Sequence, residues 1–292
     1  MCRLAAYLGE PLFLEELIAK PQHSLMRQSL RADQAKAVTN GDGFGIGWYG
    51  DRAEPGVYRE VMPAWSDDNL LALSQTLSSR LFFAHVRAAT AGGIARQNCH
   101  PFRHGKWLFM HNGQVGAYGV LRRTLESWLP DALYAERRGA TDSELLFLLA
   151  LSRIEKGAPA DEAMLSVLDD TMVLMRERDV EAPLRFAAVL ADGERLHAFR
   201  FASDGKPPTL YLRSCKGGTI IASEPLCEGE TGWQLLPDGA LVTVDSSSCR
   251  ITERATERVT VHVTERATER ATERVMECVT ERATERPAVA LA

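Results

Sequence analysis

The chain has 292 residues, 45% hydrophobic and 25% charged, with a formal net charge of −5. These are the proportions of a soluble globular protein with a substantial core, and the negative balance argues against a nucleic-acid partner. No run of eighteen apolar residues suggests a membrane span; the N-terminus lacks a basic and then apolar leader, and six scattered cysteines contain no C-x-x-C pair, so a reduced, cytoplasmic protein is expected.

In chain order the first signal is Cys2, directly after Met1. Its small side chain permits removal of Met1, which leaves a thiol and a free α-amine on one residue, a nucleophile with a built-in base. Reference pKa values of about 7.7–8.0 for the amine and 8.5 for the thiol make proton exchange between them easy near neutral pH. The plainer alternative is a small apolar residue that starts a buried strand. A helical pattern follows over Leu12–Ile18. The run Asn40-Gly41-Asp42-Gly43-Phe44-Gly45-Ile46-Gly47-Trp48 then places glycine at every second position and enters a strand over Gly45–Tyr49; such spacing brings backbone close to a ligand or to a neighbouring strand.

A helix is expected over Asn69–Leu77 and a strand over Leu81–Val86. Arg87 stands at the mouth of that strand, where its planar fork suits a carboxylate, either of a ligand or of an internal ion pair. The strand Trp107–His111 ends in Asn112-Gly113. A side-chain N–H beside a closely approachable backbone N–H is what an oxyanion hole needs, and equally what a hairpin turn uses. A helix over Val120–Leu129 precedes Thr141-Asp142-Ser143-Glu144, which opens the apolar helix Asp142–Lys156 with the pattern of a capping box. Capping does not require Asp142, whose carboxylate can accept an ammonium group. After a helix over Asp161–Arg176, strands are expected at Phe186–Ala191, Leu196–Phe201, Thr209–Leu212, Thr219–Ala222 and Ala240–Val244.

From Thr252 the sequence runs in tetrads, seven of nine beginning T-E-R, and residues 250–292 carry eight Glu and eight Arg. A period of four drifts by roughly 40° per repeat around a helix, so no fixed apolar stripe forms. The expected division is therefore one domain over residues 2–245 and a low-complexity tail over 246–292, disordered or marginally helical. In the domain, strands, then helices, then strands again, with turns between, indicate an α+β fold with antiparallel sheets. No P-loop and no helix-opening G-x-G-x-x-G occurs, so no nucleotide cofactor is indicated.

Taken together, Cys2, then H-V-R-x-x-T-x-G, H-P-F, W-x-F-x-H-N-G and T-D-S-E resemble the class II glutamine amidotransferases, over roughly residues 2–245. The opening C-R-L-x-x-Y-L-G, the run N-G-D-G-F-G-I-G-W and the late A-S-E-P look like the small stand-alone members, among them a γ-glutamyl amide hydrolase of ergothioneine biosynthesis. The resemblance implies a four-layer αββα sandwich of the N-terminal-nucleophile type and hydrolysis of the γ-amide of glutamine or a γ-glutamyl compound through a Cys2 thioester. It implies Cys2 as nucleophile, Asn112 and Gly113 as the oxyanion hole, Arg87 as receptor of the substrate α-carboxylate and Asp142 as receptor of its α-ammonium, with no metal or other cofactor. Larger members carry Trp and His where Ala88 and Ala91 stand here, which implies a more open pocket. The partner expected is a small-molecule amide, with a separate synthase or a second copy of the chain as further candidates. A glutaminase feeding ammonia to that synthase and a non-catalytic protein on the same fold are the alternatives. A metal enzyme built on His85, Cys99, His100, His104 and His111 fits no common ligand spacing.

Overall fold

The structure is a computed structural model that describes residues 2–34, 39–89, 92–215, 217–227 and 231–245, and the backbone of 251–255. One sheet contains β1 (Arg3–Phe13), β2 (Phe44–Trp48), β3 (Gly56–Glu60), β4 (Ser78–Val86), β9 (Tyr211–Cys215), β10 (Gly218–Ala222) and β11 (Gln234–Leu235), in the order β11-β9-β10-β1-β4-β2-β3. The other contains β5 (Phe102–His104), β6 (Trp107–Gln114), β7 (Arg185–Ala191), β8 (Arg195–Ala202), β12 (Ala240–Asp245) and β13 (Ile251–Ala255), in the order β13-β12-β8-β7-β6-β5. Neighbouring strands are antiparallel throughout.

Alternation along the strands builds the layers. Leu4, Ala6 and Leu8 of β1, Leu81 and Phe83 of β4, Leu108 and Met110 of β6, and Ala187 and Val189 of β7 form one core between the sheets. The intervening residues face outward into helices. Tyr7, Phe44, Phe82 and Ala84 pack under α1 (Glu15–Ile18), α2 (Leu25–Leu30) and α3 (Asp68–Thr76). On the second sheet Phe109 stacks on Phe147 of α6 (Asp142–Ile154) with centroids 5.3 Å apart, and Phe186 and Phe199 continue that aromatic face. Residues 142–152 of α6 are buried on all sides, which explains its unbroken apolar run; α7 (Ala160–Glu177) covers it from outside. The result is the expected four-layer αββα sandwich. Two shorter helices, α4 (Tyr118–Glu126) and α5 (Asp131–Glu136), connect β6 to α6.

Three differences from the sequence reading have local causes. Leu12 and Phe13 end β1 and do not start a helix: they pair with Ser79 and Ser78 after a register shift, and Leu14 then begins the turn into α1. The alternate glycines make room for neighbouring backbone and side chains. A Cβ on Gly45 would collide with the carbonyl of His100, and one on Gly47 would lie 2.8 Å from Pro101, so the segment 99–101 lies directly against β2. Third, Ile251–Ala255, the beginning of the expected tail, forms β13 and pairs with β12. Residues 256–292, and with them the expectation of a disordered or weakly helical tail, lie outside the described residues. No helix among the described residues is long and apolar enough to cross a membrane.

Candidate active site

Strand register brings the predicted residues to one end of the sandwich. On β1, Leu4, Ala6 and Leu8 face the space between the sheets, and Cys2 continues that row just before the strand begins. Arg3 pairs with Val86 of β4, which sets Cys2 beside Arg87 and Ala88, and its Sγ lies 3.6 Å from the Ala88 carbonyl. On β6 the same alternation makes Asn112 follow Leu108 and Met110 on the inward face. The opposing sheets touch here: His85 Nε2 lies 3.4 Å from the His111 carbonyl oxygen. Burial pushes the Cys2 thiol up, against the pull of the Ala88 backbone and the Arg87 and Arg3 cations.

Asn112 is fully buried (0% exposed), and neither its amide nitrogen nor its amide oxygen has a hydrogen-bond partner among the described residues. Buried amides are otherwise almost always paired, since leaving one unpaired costs about 1–3 kcal/mol. Gly113 follows, where a Cβ would collide with the carbonyl of Arg185 on β7; only glycine lets the two strands close up at this point.

Arg87 is 3% exposed. Its backbone is clamped by the glycine run: Arg87 N donates to Gly43 O at 2.8 Å and Asp42 N donates to Arg87 O at 3.0 Å. The Asp42 carboxylate also accepts the Ala89 N–H at 2.8 Å. Nη1 donates to Gly93 O at 2.9 Å. Asp42 was not singled out as a support for Arg87 in the sequence, because the G-x-G spacing drew attention to the glycines instead.

Asp142 is 7% exposed, at the first turn of α6, where a helix favours negative charge. Oδ2 accepts the Val115 N–H at 2.8 Å and Oδ1 the Ser143 N–H at 2.8 Å. Ser143 Oγ lies 2.8 Å from His111 Nδ1, so β6 and α6 are tied together on both sides of this carboxylate. Thr141 caps the helix as expected, accepting from Glu144 N. Glu144 does not complete the box: its carboxylate takes the N–H groups of Arg138 and Gly139 instead. Asp142, Val115, Gln114, Tyr118, Ala140 and Gly92 line a cleft of ≈ 600 Å³. Gly92 belongs to the loop after Arg87, so this one cleft meets both the Asp142 turn and the Arg87 loop. A second cleft of ≈ 700 Å³, lined by Arg59, Arg103, Arg138 and Glu144 among others, touches none of the five predicted residues. Ala91 lies outside the described residues; Ala88 is buried beside the thiol.

The histidines and cysteine considered as metal ligands make contacts other than a shared ligand set. His85 and His100 stack at 4.2 Å, Cys99 Sγ lies 3.4 Å from the carbonyl oxygen of Glu60, and His111 bonds Ser143. Burial pushes the His85 imidazole down to about 3 and His100 well below its ordinary value, so both are neutral. The one group that gathers metal-type ligand atoms among the described residues is His23, Asp33 and Glu224, within 4.8 Å of one another. Both Glu224 oxygens are already engaged, by His23 Nε2 and the Asp33 and Gln34 N–H groups, and Arg3 Nε stands 3.2 Å away. That donor set suits a buried ion pair better than a cation.

The model of the class II glutamine amidotransferases matches residues 16–205, a span that contains Arg87, Asn112, Gly113 and Asp142. The chain belongs to the class II glutamine amidotransferases. It is an enzyme of amide-bond chemistry. It is 37% identical to the probable glutamine amidotransferase DUG3 of Saccharomyces cerevisiae, over 84% of this chain and 82% of the yeast protein. It is 32% identical to the gamma-glutamyl-hercynylcysteine sulfoxide hydrolase of Mycolicibacterium smegmatis, over 86% of this chain and 99% of that enzyme. Among solved structures, the glutamine aminotransferase class-II domain protein of Silicibacter pomeroyi superposes with a TM-score of 0.67 at 35% identity, covering 87% and 99% of the two chains. The glutamine phosphoribosylpyrophosphate amidotransferase of Bacillus subtilis, 15% identical with a TM-score of 0.58 over 88% of this chain and 49% of its own, shares the fold.

Proposed function

We propose that this amidotransferase hydrolyses the γ-amide of a γ-glutamyl compound, with Cys2 as nucleophile, Asn112 and Gly113 as oxyanion receptors, and Arg87 and Asp142 as receptors of the glutamyl carboxylate and ammonium. The observation that carries the reading is the unpartnered, fully buried amide of Asn112, on the inward face at the end of the sandwich that also carries Cys2. A donor aimed at the position where charge develops, and unused before then, is how electrostatic stabilisation works.

With Met1 removed, the Cys2 α-amine takes the thiol proton, and the thiolate attacks the γ-carbonyl carbon. The oxyanion receives N–H from the Asn112 side chain and the Gly113 backbone. Collapse breaks the C–N bond as the ammonium returns its proton to the leaving amine. Water, deprotonated by the same amine, then attacks the thioester, and glutamate departs as the thiol re-forms. Desolvation that raises a thiol is tolerable here because the base is covalently attached.

The likeness to the M. smegmatis hydrolase over nearly its whole length supports a γ-glutamyl substrate. So does Ala88, small and beside the thiol, where larger members of the family carry Trp. The six scattered cysteines, with no C-x-x-C pair, support a reducing, cytoplasmic setting. We read residues 2–245 as the catalytic domain, extended by the edge strand β13, with the repeat beyond as an appendage.

The test is incubation of purified protein with glutamine and a panel of γ-glutamyl amides, following glutamate and the released amine. At least one γ-glutamyl amide should match or exceed glutamine in kcat/KM. Glutamine being far better than every other compound, with turnover raised further by a co-purifying synthase, points instead to an ammonia donor. Intact-mass spectrometry of active enzyme should show Cys2 at the N-terminus; retained Met1 would falsify the mechanism as written.

A further inference from the structure

The two proposed head-group receptors come from different parts of the chain. Arg87 ends a strand of one sheet, whereas Asp142 opens a helix packed on the other. A substrate's carboxylate and ammonium are fixed on one carbon, so the receptors must be held at a matching separation. One side chain spans the gap. Asn98, 2% exposed, ends the short 3-10 turn Arg96–Asn98. Its Nδ2 donates to the carbonyls of Gly92 and, at 3.3 Å, Gly93. Gly93 O is the acceptor that also receives Arg87 Nη1. Its Oδ1 accepts the Ala140 N–H at 2.9 Å, two residues before Asp142. All partners have fixed polarity, which settles the amide orientation. The close approach depends on Gly139, where a Cβ would lie 2.6 Å from Asn98 Oδ1.

We infer that Asn98 is a positioning residue for head-group recognition, locking the Arg87 loop to the N-terminus of α6. The inference rests on the reading of Arg87 and Asp142 given above. Asn98 touches neither substrate nor thiol; it fixes the distance between the two charges that read the amino-acid end. Aspartate in its place would keep the Ala140 bond and set an acceptor against two carbonyls, breaking the bridge with almost no change in shape.

The experiment measures kcat and KM for glutamine and for glutaramate, which lacks the α-amine, in the wild type and in Asn98→Ala, Asn98→Asp, Arg87→Lys and Asp142→Asn. Alkylation of Cys2 by iodoacetamide and thermal melting are followed in parallel. Asn98→Ala should raise KM for glutamine about tenfold, leave kcat within about threefold and reduce the preference for glutamine over glutaramate by a similar factor, with alkylation unchanged. Asn98→Asp should show the same loss at neutral pH and recover part of it at acid pH, where the protonated carboxyl can donate again. An unchanged preference in both Asn98 variants, with only a lower melting temperature or a lower kcat, overturns the inference. If Asp142→Asn also leaves the preference intact and Arg87→Lys leaves KM for both compounds unchanged, the head-group reading itself has failed; if Asp142→Asn erases the preference and the Asn98 variants do not, only the bridge has failed.

Discussion

Along β1, β4 and β6 the side chains facing the space between the sheets change character within one strand period. In the middle of the sandwich stand Leu4, Phe83 and Met110, all fully buried and packed on one another. One period nearer the end stand Cys2, His85 and Asn112, with Arg87 beyond. Backbone pairing continues through both regions: His85 still pairs with Leu4 and Asn112 with Ala187. What changes is satisfaction. The apolar half is packed, whereas the polar half keeps Asn112 unpartnered, together with His85 Nδ1 and both ring nitrogens of His100. The same architecture therefore separates two tasks by a few ångströms. The middle holds the sheets together, and the end keeps buried polar groups that the fold leaves without a hydrogen bond among the described residues.

Substitutions in the two halves should part these tasks. The largest effect expected is at the proposed nucleophile: Cys2→Ala should abolish turnover, and Cys2→Ser should leave little, because a hydroxyl is far less ionised than a thiol, while thermal melting stays near that of the wild type. Next comes a matched pair on one strand. Asn112→Ala should lower kcat by about 10²–10³, or roughly 2.7–4 kcal/mol, with little change in KM and no loss of stability, since an orphaned amide is removed. Met110→Ala should cost about 2–5 kcal/mol of stability, read by denaturant titration, with smaller changes in kcat. If Asn112→Ala raises only KM, or destabilises as much as Met110→Ala, the two halves are not functionally distinct.

A pH titration sharpens the same contrast. His85 is held neutral with its imidazole at about 3, below the 6.5 of a free side chain. The unfolded chain therefore binds more protons than the folded one between those values, and stability falls as pH drops from about 6.5 towards 3. His85→Gln should melt at a temperature that declines less steeply over that window. The smallest effect concerns the far edge of the second sheet. Truncation after Ala255 should leave melting and hydrolysis nearly unchanged, whereas truncation after Asp245 removes β13 and should lower the melting temperature by a few degrees without altering kcat.

Much of the candidate site was legible because its residues sit at strand ends and a helix start, where alternation and capping patterns are strong. β4, β6 and α6 were found close to their observed bounds for that reason. β1 was not: Gly9, Pro11 and the acidic, leucine-rich stretch after it mask an eleven-residue strand whose pairing is set by β4 and β10. β3 and β5 are short edge strands, with little apolar pattern to see. Asn98 and Asp42 were invisible as supports because their partners lie at distant or backbone positions that no spacing rule reports. The paired Arg3 and Glu224 were missed likewise: a salt bridge across more than two hundred residues leaves no local trace.

The glycines of β2 carry a consequence for how such an enzyme can diversify. With the carbonyl of His100 against Gly45 and the ring of Pro101 against Gly47, neither glycine can acquire a side chain unless the facing segment moves, and that segment leads straight back to Asn98. Adaptation to new leaving groups is therefore closed to this strand and falls to exposed side chains that are free to vary, such as Ile94 and Gln114. Relatives acting on different amides should accordingly differ there while sharing the bare strand.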